Sequence, residues 1–229
     1  MFTTFVPRKN AAMEERYINI HTHRPQPGEQ YLSTWMLGMN GQAPDPPYAA
    51  GIHPWNFVGM SDAEVEEALN LLQKIPNPVA VGEIGLDYAQ AKEKETRGRQ
   101  QTFFAAQLDI AAGRSLPVIV HCVRALEDTL RIMREHPMRN AIFHGFTGTP
   151  EQAARITGAG YFLSFGERTF RSRKTAEALR SILLDRLFLE TDESFLPIEE
   201  IYRQAAEILN ISISDLKTQI AKNHQLIFG

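Results

Sequence analysis

Short apolar runs alternate with longer, charged amphipathic segments along most of this chain. Eight runs read as strands: Tyr17–His21, Tyr31–Leu37, Tyr48–His53, Pro78–Glu83, Pro117–His121, Ala141–His144, Tyr161–Phe165 and Leu187–Thr191. The later ones are continuously apolar, as strands buried on both faces are. From the third strand onward the intervening positions take a helical period. Ser61-Asp-Ala-Glu64 is a capping box that opens a helix through Lys74. A second helix is expected over Glu93–Ala112, with Phe104, Leu108 and Ala111 on one face. Others are expected over 125–136, 150–158, 173–184, 198–209 and 214–226. Thr149-Pro-Glu-Gln152 supplies an N-cap, a proline at the first helical position and a box partner. Eight strands alternating with helices predict a parallel α/β fold, a TIM-type (β/α)8 barrel.

The first third departs from this rhythm. Only Arg24–Gln30 joins the first two strands, whereas a parallel crossover takes a dozen residues or more. The next connection, Gly38–Pro47, is rich in turn formers and has no helical period. The first two crossover helices are therefore expected to be missing. Either the second strand runs antiparallel, or the barrel wall is irregular there. Such a gap would expose Tyr31, Trp35 and Leu37, so a homo-oligomer or partner contact is expected near residues 24–47.

Composition narrows the class. With 229 residues, 43% of them hydrophobic and 22% charged, the chain has the makings of one barrel domain over 1–229, with residues 1–16 as an N-terminal arm. The apolar content excludes disorder, and no run of about 18 apolar residues exists to span a membrane. The single cysteine, Cys122, excludes an intrachain disulfide framework. The first residues lack a sustained apolar segment, so no cleaved signal is expected and a cytoplasmic location is. A net charge of −3 and a pI near 6.2 argue against a broad basic surface for nucleic acid. A nuclease that draws its positive charge from metal ions stays open.

The polar residues at strand ends change the picture most. His21 and His23 end the first strand, His53 the third, Glu83 the fourth, His121 the fifth and His144 the sixth; Asp192 follows the eighth. In a parallel barrel all C-terminal strand ends open on one mouth, where active sites sit. Five of the seven histidines converge there, leaving His136 and His224 in helical segments. Each residue alone has an ordinary explanation, such as a salt bridge, a core histidine or a helix cap. Together they would bury much ionisable surface without a cation to neutralise it. The expected answer is a metal site. His-x-His on a strand puts both imidazoles on one face, and a bridging carboxylate such as Glu83 could hold a second ion about 3.5–4 Å from the first.

At these residues the chain resembles the TatD family of metal-dependent deoxyribonucleases, within the amidohydrolase-like barrels. The segments that carry the resemblance run in order: Ile20-His-Thr-His23, Gly51-Ile-His-Pro54, Gly82-Glu-Ile-Gly-Leu-Asp87 and Pro117-Val-Ile-Val-His121. Phe143-His-Gly-Phe-Thr-Gly148, Leu189-Glu-Thr-Asp192 and the ending Asn223 to Gly229 follow. The resemblance implies that His21 and His23 bind one metal, that Glu83 bridges, and that His121 and His144 bind the second. It implies that Asp192 ligates a metal and holds or deprotonates the attacking water. The implied cofactor is a pair of divalent ions, Mg, Mn or Zn. His53 is assigned to phosphate or leaving-group contact, and Asp87 and Tyr88 to supporting the ligands from behind. Three departures stand out. Asn19 replaces the family's Asp two residues before the first His, and is expected to orient an imidazole as an amide. Arg124 lies one position later than the family's Arg, and is the candidate phosphate contact. The family's Arg-bearing loop after the Asp is replaced by Phe195-Leu-Pro197.

The resemblance implies a divalent-metal-dependent hydrolase that cleaves DNA as a 3′-5′ exonuclease. A site acting on a small phosphoester, amide or lactone is the alternative, and a non-catalytic barrel serving as an interaction module is the third reading. The densest basic group, Arg168, Arg171, Arg173 and Lys174, follows the seventh strand and would lie on the mouth side.

Overall fold

The computed structural model describes residues 16–38, 42–138 and 140–229, the side chain of Val58 excepted. The expected arm, residues 1–16, lies outside the described residues apart from Arg16. Eight strands form one sheet in sequence order: β1 (Ile18–Thr22), β2 (Gln30–Met36), β3 (Tyr48–Gly51), β4 (Ala80–Asp87), β5 (Val118–Val123), β6 (Ala141–Phe143), β7 (Phe162–Phe165) and β8 (Leu187–Leu189). Every adjacent pair is parallel. The barrel closes where Thr22 bridges Asp192. There the His23 amide donates to the Asp192 carbonyl at 3.0 Å, and the Asp192 amide to the His21 carbonyl at 3.1 Å. Closure thus joins the backbone of the first and last chemical motifs directly.

The helices are α1 (Asp62–Lys74), α2 (Lys94–Gly113), α3 (Leu126–Glu135), α4 (Pro150–Gly158), α5 (Glu167–Phe170), α6 (Arg173–Ser181), α7 (Ile198–Leu209) and α8 (Ile213–Phe228). Both predicted capping boxes form, Ser61 with Glu64 and Thr149 with Gln152. Single 3-10 turns at Asn56–Val58 and Leu184–Arg186, and the short α5, were not foreseen.

The antiparallel option for β2 is overturned. The seven residues 23–29 between β1 and β2 carry the chain back along a five-residue strand without a helix. That return is only about 13 Å, and seven extended residues reach roughly 23 Å. The dozen-residue rule holds for crossovers that contain a helix, and here the crossover is an extended strap. No helix lies between β1 and β3 among the described residues. Among the described residues the three side chains expected to be exposed are not: Leu37 is buried, Tyr31 is half-buried, and the half-buried Trp35 packs edge-on against Tyr48.

Two strands run further than expected. β4 continues past Glu83 to Asp87 and is buried throughout, and β5 continues past His121 to Val123. Glu83 and His121 therefore sit within strands rather than at their ends. The continuation depends on Gly85, which pairs with His121 across a register shift. A Cβ there would lie 2.0 Å from the His121 carbonyl oxygen, at a φ of +144°. Only glycine lets the two backbones approach so closely.

Two buried amides on α2 fix the loops that carry the chemistry. Gln107 Oε1 accepts from the Ile52 amide at 2.7 Å, and its Nε2 donates to the Ile52 carbonyl at 3.1 Å. Gln100 Oε1 accepts from the Asp87 amide at 3.0 Å, and its Nε2 donates to the Pro54 carbonyl at 3.1 Å. Both glutamines share the buried face of Phe104, Leu108 and Ala111. They satisfy backbone groups beyond the end of the ladder that would otherwise be unpaired. Tyr202 of α7 does the same for β1. Its buried hydroxyl accepts from the Ile18 amide at 3.2 Å and donates to the Ile18 carbonyl at 2.9 Å. Tyr202→Phe strands both groups and is expected to cost about 1–3 kcal/mol of stability, read by denaturant unfolding. A loss under about 0.5 kcal/mol would show that β1 is held by other contacts.

Candidate metal centre

Glu83 is the hub of the site. Its carboxylate is buried, and its two oxygens face two different sets of imidazoles. Oε1 lies 2.6 Å from His121 Nδ1, 2.7 Å from His144 Nε2 and 3.1 Å from His53 Nε2. Oε2 lies 3.4 Å from His21 Nε2 and 3.7 Å from His23 Nε2. Asp192 Oδ1 completes the second set at 3.7 Å from the Nε2 atoms of both His21 and His23. The backbone of Asp192 is left-handed, at a φ of 55°, as the chain leaves the barrel wall. Asp and Asn tolerate that conformation better than most residues.

Hydrogen bonds decide which ring nitrogens are free. His21 Nδ1 pairs with Thr34 Oγ1 of β2 at 3.1 Å. Its Nε2 is fully buried, faces the cluster and has no hydrogen-bond partner. His121 Nε2 donates to Asp87 Oδ2 at 3.1 Å, which turns Nδ1 inward. Trp55 Nε1 donates to the same Asp87 oxygen at 2.7 Å. His53 Nδ1 accepts from the Trp55 amide at 3.2 Å, so the neutral ring carries its proton on Nε2, toward Glu83. That tautomer makes His53 a donor to the carboxylate rather than a lone-pair ligand.

The electrostatics follow the same geometry. Burial alone would raise the Glu83 carboxyl, but His144, His121 and His21 hold it well below the usual carboxylate range. Burial opposes a charge on His144 and His121, yet carboxylates win at both: Glu83 with Glu190 at His144, and Asp87 with Glu83 at His121, raise them. His23 is raised too, by Glu83 and Asp192 against the pull of burial. Burial lowers His53 despite Glu83. Asp87 is held down at about 2: burial would raise it, but the His121, Trp55 and Gln90 hydrogen bonds outweigh that. These directions are those of imidazoles whose protonated forms are favoured by a buried carboxylate.

Among the described residues, four sets of three ligand atoms lie within 4.8 Å of one another: His21, His23 and Asp192; His21, Glu83 and His144; His53, Glu83 and His121; His144, Glu190 and Asp192. Imidazole and carboxylate donors suit divalent zinc, manganese or magnesium, and the orphaned His21 Nε2 fits a cation there. The six expected ligands, His21, His23, Glu83, His121, His144 and Asp192, are thus brought together, with His53 among them.

Other expectations are corrected. Asn19 orients no imidazole: its Nδ2 donates to Thr191 Oγ1 at 2.8 Å and Glu29 Oε2 at 3.2 Å, and its Oδ1 accepts from the Thr191 amide. It ties β1 to the chain just before Asp192, and Thr34 performs the orienting. Tyr88 turns away to donate to Asp128 at 2.7 Å. Arg124 follows β5 and is exposed, with no polar partner among the described residues, and its assignment to a phosphate is neither supported nor contradicted by these contacts. Arg173 pairs with Glu177 on the surface of α6.

Glu190 was missed. It is buried, hydrogen-bonded by Ser164 Oγ, and its Oε1 lies 3.6 Å from His144 Nδ1. Its position just past β8, two residues before Asp192, carries no strand alternation to point to it, since β8 ends at Leu189. A cleft of about 220 Å³ opens here, lined by Glu190, Asp192, Gly145 and Phe146, with Arg168 and Arg171 at its edge.

Comparison with known proteins accords with this site. The family described as TatD related DNase matches residues 29–229. The matched segment begins after His21 and His23, which the geometry places in the cluster. The uncharacterized metal-dependent hydrolase YcfH of Escherichia coli is 36% identical over 165 residues, 70% of this chain and 60% of that protein. The 3′-5′ ssDNA/RNA exonuclease TatD of Klebsiella pneumoniae is 34% identical over 154 residues, 64% of this chain and 57% of that protein. The alignments thus span about 60% of the length of these curated relatives. The crystal structure of YjjV, a TatD homolog from Escherichia coli, superposes with a TM-score of 0.77 at 25% identity, covering 94% of this chain and 99% of that one. A barrel closed through its ligand motifs, a carboxylate shared between two imidazole sets and a family match over most of the chain agree: the chain belongs to the TatD related DNase family.

Proposed function

We propose that this chain is a divalent-metal-dependent hydrolase that removes nucleotides from DNA ends in the 3′-5′ direction. The observation that carries the reading is the division of Glu83 between two imidazole sets, the arrangement a pair of cations requires. His21, His23 and Asp192 would hold one ion, His121 and His144 the other, and Glu83 both; Mg, Mn and Zn all suit the donors. Bound metal would polarise the phosphoryl group and ionise water near neutral pH. Asp192, with about a quarter of its side chain open to the cleft, is placed to orient that water and accept its proton. His53, whose Nε2–H hydrogen-bonds Glu83 on the same mouth, is assigned to phosphate or leaving-group contact. Arg168 offers a phosphate contact in the cleft lining, and Arg171 beside it is held by Glu167. The compact cleft favours one second reading, a small phosphoester substrate.

No helix among the described residues is long and apolar enough to cross a membrane. A reducing, cytoplasmic setting suits a chain whose single thiol, Cys122, lies 3.5 Å from Thr129 Oγ1 and is pushed up by burial.

The test is a time course of nucleotide release from end-labelled single-stranded DNA with added Mg²⁺, Mn²⁺ or Zn²⁺, beside an identically prepared His121→Ala, Asp192→Asn double variant. Metal-dependent release that vanishes in the variant is expected. Equal release from both would expose a contaminant. No release from either, with turnover of small phosphoesters, would transfer the reading to the second substrate class.

A further inference from the structure

Five large hydrophobic side chains are exposed among the described residues, and two of them are aromatic. Leu71, Leu183 and Leu226 are scattered on α1, at the end of α6 and on α8. Trp55 and Phe195 instead stand in the loops after β3 and β8, on the mouth that holds the ligands.

Trp55 is 49% exposed, yet it is not loose. Its Nε1–H is anchored on Asp87, and its ring stands edge-on to His53, 4.8 Å between centroids. His121 is 6.3 Å away. The indole is thus a fixed aromatic wall directly beside the metal ligands. Phe195 is 80% exposed and three residues beyond Asp192. The Arg24 guanidinium lies 4.0 Å from its ring centre, and Arg24 follows His23. That pair sets a flat cation on an aromatic face at the opposite end of the ligand set.

Exposing two aromatics beside a reaction centre costs hydrophobic stabilisation unless a flat ligand covers them. A small phosphoester needs no such walls. Bases of an unpaired strand do, because every base has a π face and stacking is tolerant of sequence. We infer that Trp55, and Phe195 with Arg24, are stacking platforms for the unpaired bases of a single-stranded polynucleotide whose scissile phosphate lies over Glu83 and Asp192. This rests on the hydrolase reading and names the residues that would hold the bases of its substrate.

The test separates binding from hydrolysis. Metal-free protein is titrated with a 12-mer oligothymidylate, and with an abasic strand of the same length and charge, by anisotropy of a 5′ dye and by tryptophan fluorescence. The chain has two tryptophans, and the other, Trp35, is packed on Tyr48, so Trp55 should carry the quenching. Base-bearing DNA is expected to bind about tenfold to a hundredfold tighter than the abasic strand. Trp55→Ala should abolish most of that difference, and Phe195→Ala part of it. Trp55→Phe, which loses the Asp87 contact but keeps the ring, should keep it within about threefold, separating stacking from support of His121. Equal binding of the two strands by the native chain, or an undiminished difference in Trp55→Ala, overturns the inference. Metal-loaded protein is assayed alongside on the abasic strand. Cleavage there without any base preference leaves the hydrolase reading standing and sinks the platforms alone. Base-dependent binding with no cleavage of any strand sinks the hydrolase reading and leaves the platforms.

Discussion

Glu83→Gln is expected to lower metal-dependent release of nucleotides from single-stranded DNA by at least about a thousandfold, a loss of roughly 4 kcal/mol in transition-state stabilisation. The substitution keeps the shape of the side chain and changes its donor chemistry. A carboxylate can present an oxygen to each of two ions, and in this chain one oxygen faces His121 and His144 while the other faces His21 and His23. An amide has one oxygen, so it can serve only one set, and its NH₂ presents donors where a cation would sit. If Glu83 bridges a pair of ions, metal content after dialysis should therefore fall by at least one ion per chain. Two retained ions with unchanged release would show that Glu83 is a charge partner of the histidines and not a bridge. Circular dichroism of the variant guards against an unfolded chain, which would give the same loss for a trivial reason.

The hub was legible in the sequence because of a topological rule rather than a spacing rule. His21, Glu83, His121, His144 and Asp192 are far apart in the chain, and parallel strands alone bring their C-terminal ends to one mouth. The helices were legible for local reasons: the Ser61 and Thr149 caps formed as their four-residue patterns imply. What failed was what depends on contacts between distant segments. Thr34 supports His21 from the neighbouring strand, and no pattern within β1 points to it. Asn19, two residues before the ligand, faces Thr191 across the barrel seam instead. Gln100 and Gln107 look like misplaced polar residues on an apolar helix face until the unpaired backbone of residues 52–54 and 87 is set against them. The direction of β2 failed for a different reason. A length rule drawn from helical crossovers was applied to an extended strap of seven residues.

Metal binding to this site at pH 7 is expected to release at least one proton per chain, and affinity is expected to fall steeply as pH drops. In the metal-free chain His144 is raised well above the usual imidazole value, and His121 and His23 are raised as well. Glu83 sits well below the usual carboxylate range, so it stays ionised throughout. The histidines with raised values are therefore protonated, wholly or in part, at neutral pH, and a cation must displace those protons to reach the nitrogens. Each displaced proton weakens apparent affinity about tenfold per pH unit below the imidazole's folded value. The sign runs one way: lower pH favours the protonated cluster and higher pH the metal. Stability of the metal-free fold runs the other way for these groups. Histidines raised above their unfolded value stabilise it fully below about pH 6.5, and that support fades as pH rises through their folded values. Metal should therefore stabilise the chain most at the alkaline end, where the proton-neutralised form has lost its support. Isothermal titration with Mn²⁺ in two buffers of different ionisation enthalpy, at pH 6 and pH 8, measures the proton count directly. Release near zero at both would mean that the imidazoles are already neutral, and that another cation or ordered water balances Glu83. Release at pH 6 that exceeds release at pH 8, with the tighter binding at pH 8, is the pattern a proton-filled, cation-ready cluster produces.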